Sequence, residues 1–261
     1  MSGARWALWA LLVTTGSGGE ASAQLAERVA EVREGVVRFA YETRPGVQIC
    51  EQGIRMDDRR VWWRGRGWED GPCMLGPVEV EVRVEEGTVR DVDVLRALEN
   101  RTRSAVEVGL VDPQEAVDFF LSVVRSQGAR RASREAVFPM VIADVDEVWR
   151  DLVDVARDRT VTAEGRKGAL FWLGQAAADA ATAGLAQVAG DEDEEQEIRE
   201  AAVFALSQRP EGEGVPILMD LARTAREPET RRSALFWLAQ ADDDRVLDFF
   251  EQILLRRAPG G

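Results

Sequence analysis

The chain has 261 residues, of which 45% are hydrophobic and 31% are charged, and its formal net charge is −14. These values are ordinary for a soluble globular protein, and the length allows one or two domains with a substantial core. The negative charge argues against nucleic acid or an anionic membrane as the partner, since either requires clustered positive charge. The chain contains no histidine, which excludes Ser-His-Asp catalysis, Cys-His catalysis and zinc held by histidine.

Residues 1–23 have the layout of a secretory signal peptide. One arginine precedes the short apolar run WALWALLVTT, and a polar stretch then ends in Ala21-Ser22-Ala23. The run is shorter than the ~20 residues that a membrane helix needs. We therefore predict cleavage near Ala23/Gln24 and a periplasmic or secreted location, with no membrane span after cleavage. A disordered start or a short anchor is the alternative.

The chain after this cut keeps two cysteines, Cys50 and Cys73. An oxidising compartment favours a disulfide between an isolated pair, which would contribute about 3 kcal/mol to stability. The alternative is two buried thiols. Two cysteines alone supply only half of a zinc site, so the sequence predicts no metal site and no cofactor.

The segment that follows the predicted cut begins as a helix and then changes to strands. Leu25, Val29 and Val32 have helical spacing over 24–34. The clearest strand has valines that alternate with charged residues, at Val78, Val80, Val82 and Val84. Such alternation is typical of a half-buried antiparallel strand. We predict that 24–105 form a small β-rich domain closed by a Cys50–Cys73 disulfide.

A tryptophan-rich segment lies between the two cysteines. Trp62, Trp63 and Trp68 stand beside Arg64 and Arg66. These side chains either form an aromatic binding patch, or the rings fill a small core with the arginines stacked on them.

The strongest pattern in the chain is an internal repeat. Four stretches align, namely REAVFPMVI, KGALFWLGQ, EAAVFALSQ and RSALFWLAQ, and their phenylalanines are 33, 33 and 32 residues apart, at Phe138, Phe171, Phe204 and Phe236. An alanine precedes each phenylalanine by two positions, and a methionine or leucine follows it by two. Apolar residues also recur 14, 17 and 18 positions later, which is one face of a second helix. Each unit is therefore predicted to be a helix pair that stacks on its neighbours.

The order Asp112-Pro113-Gln114-Glu115 predicts where the helical region begins. It supplies an N-cap, a first-turn proline and a capping-box acid in sequence. A helix over about 245–256 is predicted to close the region. The predicted fold class is α+β, with an all-α solenoid of about four helix pairs plus a capping helix over 106–261.

The recurrent basic residue followed by alanine, an aliphatic residue and leucine, together with FWLGQ and FALSQ, resembles a known repeat family. The stretch over about 112–256 is similar to the compact PBS-lyase HEAT-like repeats of exported bacterial proteins that carry a cysteine-containing N-terminal region. The basic position of such repeats is occupied or neighboured by Arg134, Arg166, Arg199 and Arg232. The resemblance implies an interaction scaffold with no established reaction.

The inner helices of the solenoid carry the candidate binding residues. If Ala169, Leu170 and Leu173 face the core, Trp172 points away from it, because each helical residue turns by about 100°. The predicted binding ribbon consists of two tryptophans and three glutamines, at Trp172, Trp237, Gln175, Gln208 and Gln240. Alternatively, the tryptophans cover gaps between helices and the glutamines bond helix-end carbonyls.

We predict a non-catalytic, monomeric scaffold that binds an unidentified protein or peptide on the concave face of the solenoid. The first alternative is a carboxylate-based enzyme or lyase-like activity on the same scaffold, which requires two acids that face one cleft. The second is a regulatory subunit with two docking domains, one in 24–105 and one in 106–261. The acidic run over 191–197 is predicted to be a solvated turn.

Overall fold

The computed structural model of the protein describes residues 18–50, 53–56, 73–95, 101–127, 129–175 and 179–257. The apolar run of the predicted signal peptide lies outside these residues, as does the segment of Trp62, Trp63 and Trp68 with Arg64 and Arg66. Within the described ranges, no helix has the length and apolar character needed to cross a bilayer.

The strands of the described residues form two small sheets. They are β1 (Gly35–Tyr41), β2 (Val47–Cys50), β3 (Gly53–Met56), β4 (Cys73–Met74), β5 (Val78–Glu85), β6 (Thr88–Leu95) and β7 (Val106–Leu110). The larger sheet has the order β6-β5-β1-β7 and the smaller one has the order β3-β2-β4. All four alternating valines of β5 are buried, which confirms the predicted strand. A disulfide joins Cys50 on β2 to Cys73 on β4, also as predicted.

The helices of the described residues follow the predicted repeat. They are α1 (Gly18–Ala30), α2 (Pro113–Arg125), α3 (Arg130–Glu135), α4 (Val137–Ile142), α5 (Val148–Arg157), α6 (Ala163–Gln175), α7 (Asp179–Gly190), α8 (Gln196–Ser207), α9 (Val215–Thr224), α10 (Pro228–Leu238) and α11 (Asp244–Arg257). A short 3-10 helix, Pro210–Gly212, precedes α9. After α2, the phenylalanine-bearing segments alternate with second helices, which gives four helix pairs and confirms the predicted fold class.

The matched alanine and leucine positions have equivalent environments along the stack. The alanines Ala136, Ala169, Ala202 and Ala234 are all buried. The residues four positions later are also buried, at Met140, Leu173, Leu206 and Leu238. These side chains form the continuous core between successive helices that a stacked repeat requires.

The larger sheet and the first helices share one hydrophobic core. The ring of Phe39 on β1 lies 5.6 Å from that of Phe120 on α2, and Tyr41 lies 5.9 Å from Phe120. The Tyr41 hydroxyl donates a hydrogen bond of 2.8 Å to the carbonyl of Pro139 in α4. The predicted β-rich domain is therefore continuous with the solenoid.

The predicted boundary between residues 105 and 106 cuts through the sheet. β7, assigned to the solenoid by the sequence interpretation, pairs in parallel with β1. A buried network holds the chain before β7 against the sheet: Arg38 donates to Glu81 and to the carbonyl of Thr102, and the Thr102 backbone N–H donates to Glu81 at 2.8 Å. The sheet therefore extends to Leu110, and the helices begin at Pro113.

The start of α2 is only partly as predicted. Asp112 accepts a hydrogen bond of 2.8 Å from the Gln114 backbone N–H, which confirms the N-cap. Glu115 instead accepts a bond of 2.6 Å from the backbone N–H of Leu25 in α1. This carboxylate therefore ties α1 to α2, with Leu25 and Val29 buried between them. The helix α1 runs through the predicted cleavage point between Ala23 and Gln24.

Candidate functional site

The phenylalanine-bearing helices pack directly on one another, and we call α4, α6, α8 and α10 the inner helices. The helix α6 packs against α4 and α8, and α8 packs against α10. Glycine permits a close approach of α6 to α8: a Cβ added at Gly174 of α6 would lie 2.9 Å from the carbonyl oxygen of Ala205 in α8. The inner helices thus form a close row, and a side chain that leaves this row on its open side is available to a partner.

Trp172 does not belong to an open ribbon, contrary to the sequence interpretation. It is 4% exposed, and its ring stacks on that of Phe138 with centroids 5.1 Å apart and an interplanar angle of 27°. Trp237 is half-buried and lies 4.9 Å from Phe204. Each tryptophan covers the phenylalanine of the preceding repeat. Trp172 therefore fits the alternative interpretation, in which the tryptophans cover gaps between helices.

On the inner helices, the exposed aromatic residues are instead phenylalanines. Phe138 is 2% exposed, whereas Phe171 is 42% and Phe236 is 56% exposed; Phe204 is half-buried. The difference follows from the residue in the next repeat: Trp172 covers Phe138, but Ala205 stands at the corresponding position after Phe171. Sequence reasoning aligned these phenylalanines without recognising that they reach the surface. The signal in the sequence was the alternation of large and small residues at one repeat position, since Ala205 lies between Trp172 and Trp237 and leaves Phe171 without a covering ring.

The predicted glutamines lie on the surface that carries the exposed phenylalanines. Gln175, Gln208 and Gln240 each follow an exposed or half-buried phenylalanine by four residues, which places both side chains on one helix face. Gln208 and Gln240 are exposed and Gln175 is half-buried. We call the surface formed by these glutamines and their phenylalanines the Phe–Gln face; its members are Phe171, Phe204, Phe236, Gln175, Gln208 and Gln240.

An acidic edge borders the Phe–Gln face. Glu164, Glu197 and Glu229 precede the three phenylalanines by seven residues, which is nearly two helical turns and therefore the same side. Glu197 forms an ion pair with Lys167 of the preceding inner helix, and Glu229 forms one with Arg232. Acids in the first turn also suit the helix dipole, so this edge serves folding as well as surface charge.

The position that carries a basic residue in three of the four repeats has a structural role. The relevant position lies five residues before each phenylalanine, at Ser133, Arg166, Arg199 and Arg231. Each donates to carbonyl oxygens at or just after the end of the preceding helix, for example Arg166 Nε to Ala156 at 2.9 Å. The predicted residues Arg134 and Arg232 are the neighbours of this position. This recurrent geometry satisfies helix-end carbonyls that would otherwise lack a protein donor.

The acidic run over 191–197 is more than a solvated turn. Glu194 is buried and accepts hydrogen bonds from both terminal nitrogens of Arg166, one of them at 3.0 Å. Burial raises the pKa of Glu194, but the bonds from Arg166 and from the Glu195 backbone outweigh it, so that the pKa lies below its ordinary value. Within the described ranges, no group of three or more Cys, Asp or Glu residues could hold a metal ion.

One pair of neighbouring carboxyl groups bears on the enzyme alternative. Arg131 of α3 bridges Asp91 of β6 at 3.0 Å and Glu135 at 2.8 Å. Burial and the adjacent Asp91 raise the pKa of Glu135. Glu135 also accepts a hydrogen bond from the Val92 backbone N–H, so this pair joins the sheet to α3 and has an evident structural role.

Glu135→Gln is expected to raise the thermal midpoint of unfolding near neutral pH. Because the pKa of Glu135 is raised in the folded protein, wild-type stability falls as pH rises from the ordinary carboxyl pKa through the folded value, and the neutral amide removes this loss. The advantage should disappear in acid, where the wild-type carboxyl is protonated. Melting curves across the acid-to-neutral range test this, with the exposed Glu251→Gln on α11 as the control. An advantage of equal size at every pH would contradict the assignment.

Comparison with known proteins agrees with the geometry of the helical region. No curated protein matches the chain. The family of HEAT repeats matches residues 150–239 and 182–259. These matches cover the helix pairs from α5 to α11, which include the whole Phe–Gln face. Residues 150–259 therefore contain HEAT repeats.

Proposed function

We propose that this protein is a non-catalytic scaffold that binds a polypeptide segment along the Phe–Gln face. The supporting observation is the row of phenylalanines that reach the surface at equivalent positions of successive repeats, Phe171, Phe204 and Phe236. Single exposed apolar residues are ordinary on protein surfaces, whereas a contiguous apolar strip with a polar rim is typical of an interaction site. HEAT repeats generally mediate contacts between proteins.

The spacing of the inner helices favours an extended segment that crosses them. Packed helices lie about 8–10 Å apart, and an extended segment in the polyproline II conformation has three residues per turn and advances about 3.1 Å per residue, so that every third side chain faces the same side. Side chains three residues apart in the segment would therefore meet successive phenylalanines. Glutamine amides both donate and accept hydrogen bonds, so Gln175, Gln208 and Gln240 suit the backbone of such a segment.

Charge favours a basic partner. The chain carries a net charge of −14, and Glu164 of the acidic edge adds to it beside Phe171, whereas the other two acids of this edge already pair with Lys167 and Arg232. Complementary charge accelerates association and discriminates between partners more than it adds affinity. We therefore infer a segment with apolar residues at intervals of three and with lysine or arginine toward the acidic edge.

The proposed location is the bacterial envelope or the secreted space. Its support is the signal-peptide layout of residues 1–23 and the Cys50–Cys73 disulfide, which persists in oxidising compartments. The shared core of β1 and α2 argues against the alternative of two separately folded docking domains. A division into 24–105 and 106–261 would expose Phe39, Tyr41 and Phe120, so those fragments do not test that alternative.

Selection of random phage-displayed peptides on the purified protein tests the proposed function. Enriched peptides should combine basic residues with apolar residues three positions apart. The double variant Phe171→Gln/Phe236→Gln should weaken their binding by about tenfold or more, because buried aromatic anchors dominate such interfaces. Both side chains are substantially exposed, so the fold should persist.

The matched control removes exposed apolar residues from another surface. Leu247 and Leu254 of α11 are 67% and 69% exposed, and Leu247→Gln/Leu254→Gln should leave peptide affinity within about twofold of wild type. Binding that survives loss of the two phenylalanines, binding that requires the two leucines, or the absence of any enriched peptide would overturn the proposal.

A further inference from the structure

Two of the inner-helix phenylalanines are covered by a tryptophan of the next repeat, and the one between them is not. Trp172 lies on Phe138 and Trp237 lies on Phe204, with centroids 5.1 and 4.9 Å apart. The corresponding residue in the repeat after Phe171 is Ala205, whose methyl group cannot cover the Phe171 ring. Within one molecule, the repeats therefore show that a tryptophan of the next repeat covers an inner-helix phenylalanine, and that the phenylalanine stays exposed where this tryptophan is replaced by alanine.

The close approach of α6 and α8 explains why no tryptophan occupies position 205. A Cβ added at Gly174 would lie 3.2 Å from the Cβ of Ala205 and still closer to the Ala205 backbone. Ala205 itself is buried in this contact. A large ring at position 205 would force the helices apart, so the exposure of Phe171 is a consequence of tight helix packing.

The surroundings of Phe171 define a small site for one side chain. Trp172 and Phe171 form a T-shaped pair, with centroids 5.2 Å apart and an interplanar angle of 84°, and Phe171 remains 42% exposed. Lys167, paired with Glu197 of α8, lies one turn before it, and Gln175 lies one turn after it. The site thus has an aromatic floor with a cationic and an amide border.

We propose that Phe171 is a specificity site that takes an aromatic side chain from the bound polypeptide, in place of the tryptophan that the following repeat lacks. The proposal rests on the function proposed above and names the chemistry of the partner at one position. Aromatic rings favour offset or tilted contacts at about 4.5–7 Å between centroids, as in the two covered pairs. The Gln175 amide oxygen is suited to accept from an indole N–H or a phenol hydroxyl.

Phe236 is also exposed, but it lies on α10, and in the part of the chain that the structure describes no phenylalanine–tryptophan pair follows it. A ring on Phe171 would stand between the Phe138–Trp172 and Phe204–Trp237 pairs in the order of the repeats. We therefore expect the aromatic preference at Phe171, with aliphatic side chains accepted at Phe236.

The first test uses two small probes on the full-length protein. In NMR spectra of the protein with isotope-labelled phenylalanine, N-acetyl-tryptophanamide should shift the Phe171 ring signals in a saturable manner, and N-acetyl-leucinamide should bind at least about threefold more weakly. The Phe171 signals are assigned with Phe171→Leu, whose thermal midpoint confirms folding. Equal effects of the two probes, no saturable shift, or a larger shift at Phe204 or Phe236 would overturn the proposal.

The second test uses the peptides selected on the Phe–Gln face. Replacement of the peptide's aromatic residue by leucine should weaken binding to the wild-type protein by about fivefold or more, and binding to Phe171→Leu by much less. Peptides that bind the Phe–Gln face with equal tolerance for leucine would overturn the aromatic preference while the proposed function stands. Binding of N-acetyl-tryptophanamide at Phe171 with no selectable peptide would support the aromatic site and overturn the proposed function.

Discussion

Phe120→Ala is expected to lower the free energy of unfolding by about 3–5 kcal/mol, because it deletes a fully buried ring and leaves a cavity. The Phe120 ring lies 5.6 Å from Phe39, 5.9 Å from Tyr41 and 5.5 Å from Phe119. These contacts join the sheet to α2, so both should lose protection together. Urea titration followed by circular dichroism, with hydrogen exchange of β1 and α2 amides, measures the loss and its extent.

The control for this substitution is Phe236→Ala, which removes the same ring from a position that is 56% exposed. We expect a cost below about 1 kcal/mol there, since little apolar surface returns to water. If Phe120→Ala released the amides of α2 while those of β1 and β5 stayed protected, the sheet and the solenoid would be separate units and the shared core would be refuted.

Glu194→Ala is expected to cost about 3–5 kcal/mol near neutral pH, because it leaves the guanidinium of Arg166 buried without its carboxylate. Arg166 is 2% exposed, so water cannot replace the lost partner. The pKa of Glu194 is lowered in the folded protein. Its stabilising contribution is therefore present above the ordinary carboxyl pKa and is lost as pH falls through the lowered value. Urea titrations at several pH values should show the wild-type advantage shrinking in acid.

The same turn supplies a matched control for Glu194. Glu192 pairs with Arg226 at 3.1 Å, but both side chains are substantially exposed, and Glu192→Ala should cost at most about 1 kcal/mol. Replacement of both members of the buried pair, in Arg166→Met/Glu194→Leu, should recover much of the loss, since neither charge then remains buried alone. Similar costs for Glu192→Ala and Glu194→Ala would show that burial is not the source of the effect.

The periodic part of the fold was accessible from the sequence because it is local. Apolar residues at fixed offsets specify which face of each helix is buried, and the alanine and leucine positions such as Ala169 and Leu173 are buried as predicted. The exposure of Phe171 was not accessible in the same way. It depends on Ala205, which is distant in sequence, and on how closely α8 approaches α6 at Gly174. A helical wheel of one helix placed Trp172 outside, whereas the neighbouring Phe138 ring buries it.

Contacts between distant segments account for the other differences. Glu115 has the spacing of a capping-box acid, yet it bonds to Leu25, ninety residues away. β7 follows a polar segment and is only five residues long, so its pairing with β1 could not be recognised from alternation alone. Both features belong to the junction between sheet and solenoid, where tertiary packing overrides local signals.

The burial of the second helices declines along the stack. The residues 18 positions after each phenylalanine are buried at Ala156 and Ala189, half-buried at Ala222 and 69% exposed at Leu254. The sheet braces the other end through Phe39, Tyr41 and Glu115. In a stacked repeat, stability is a sum of neighbour interactions, so spontaneous opening should be polarised, with α10 and α11 detaching most often while α2 to α6 remain closed. Such local opening would disrupt the surface around Phe236 more often than the surface around Phe171. A bound partner would therefore contact a rigid site at Phe171 and a flexible one at Phe236.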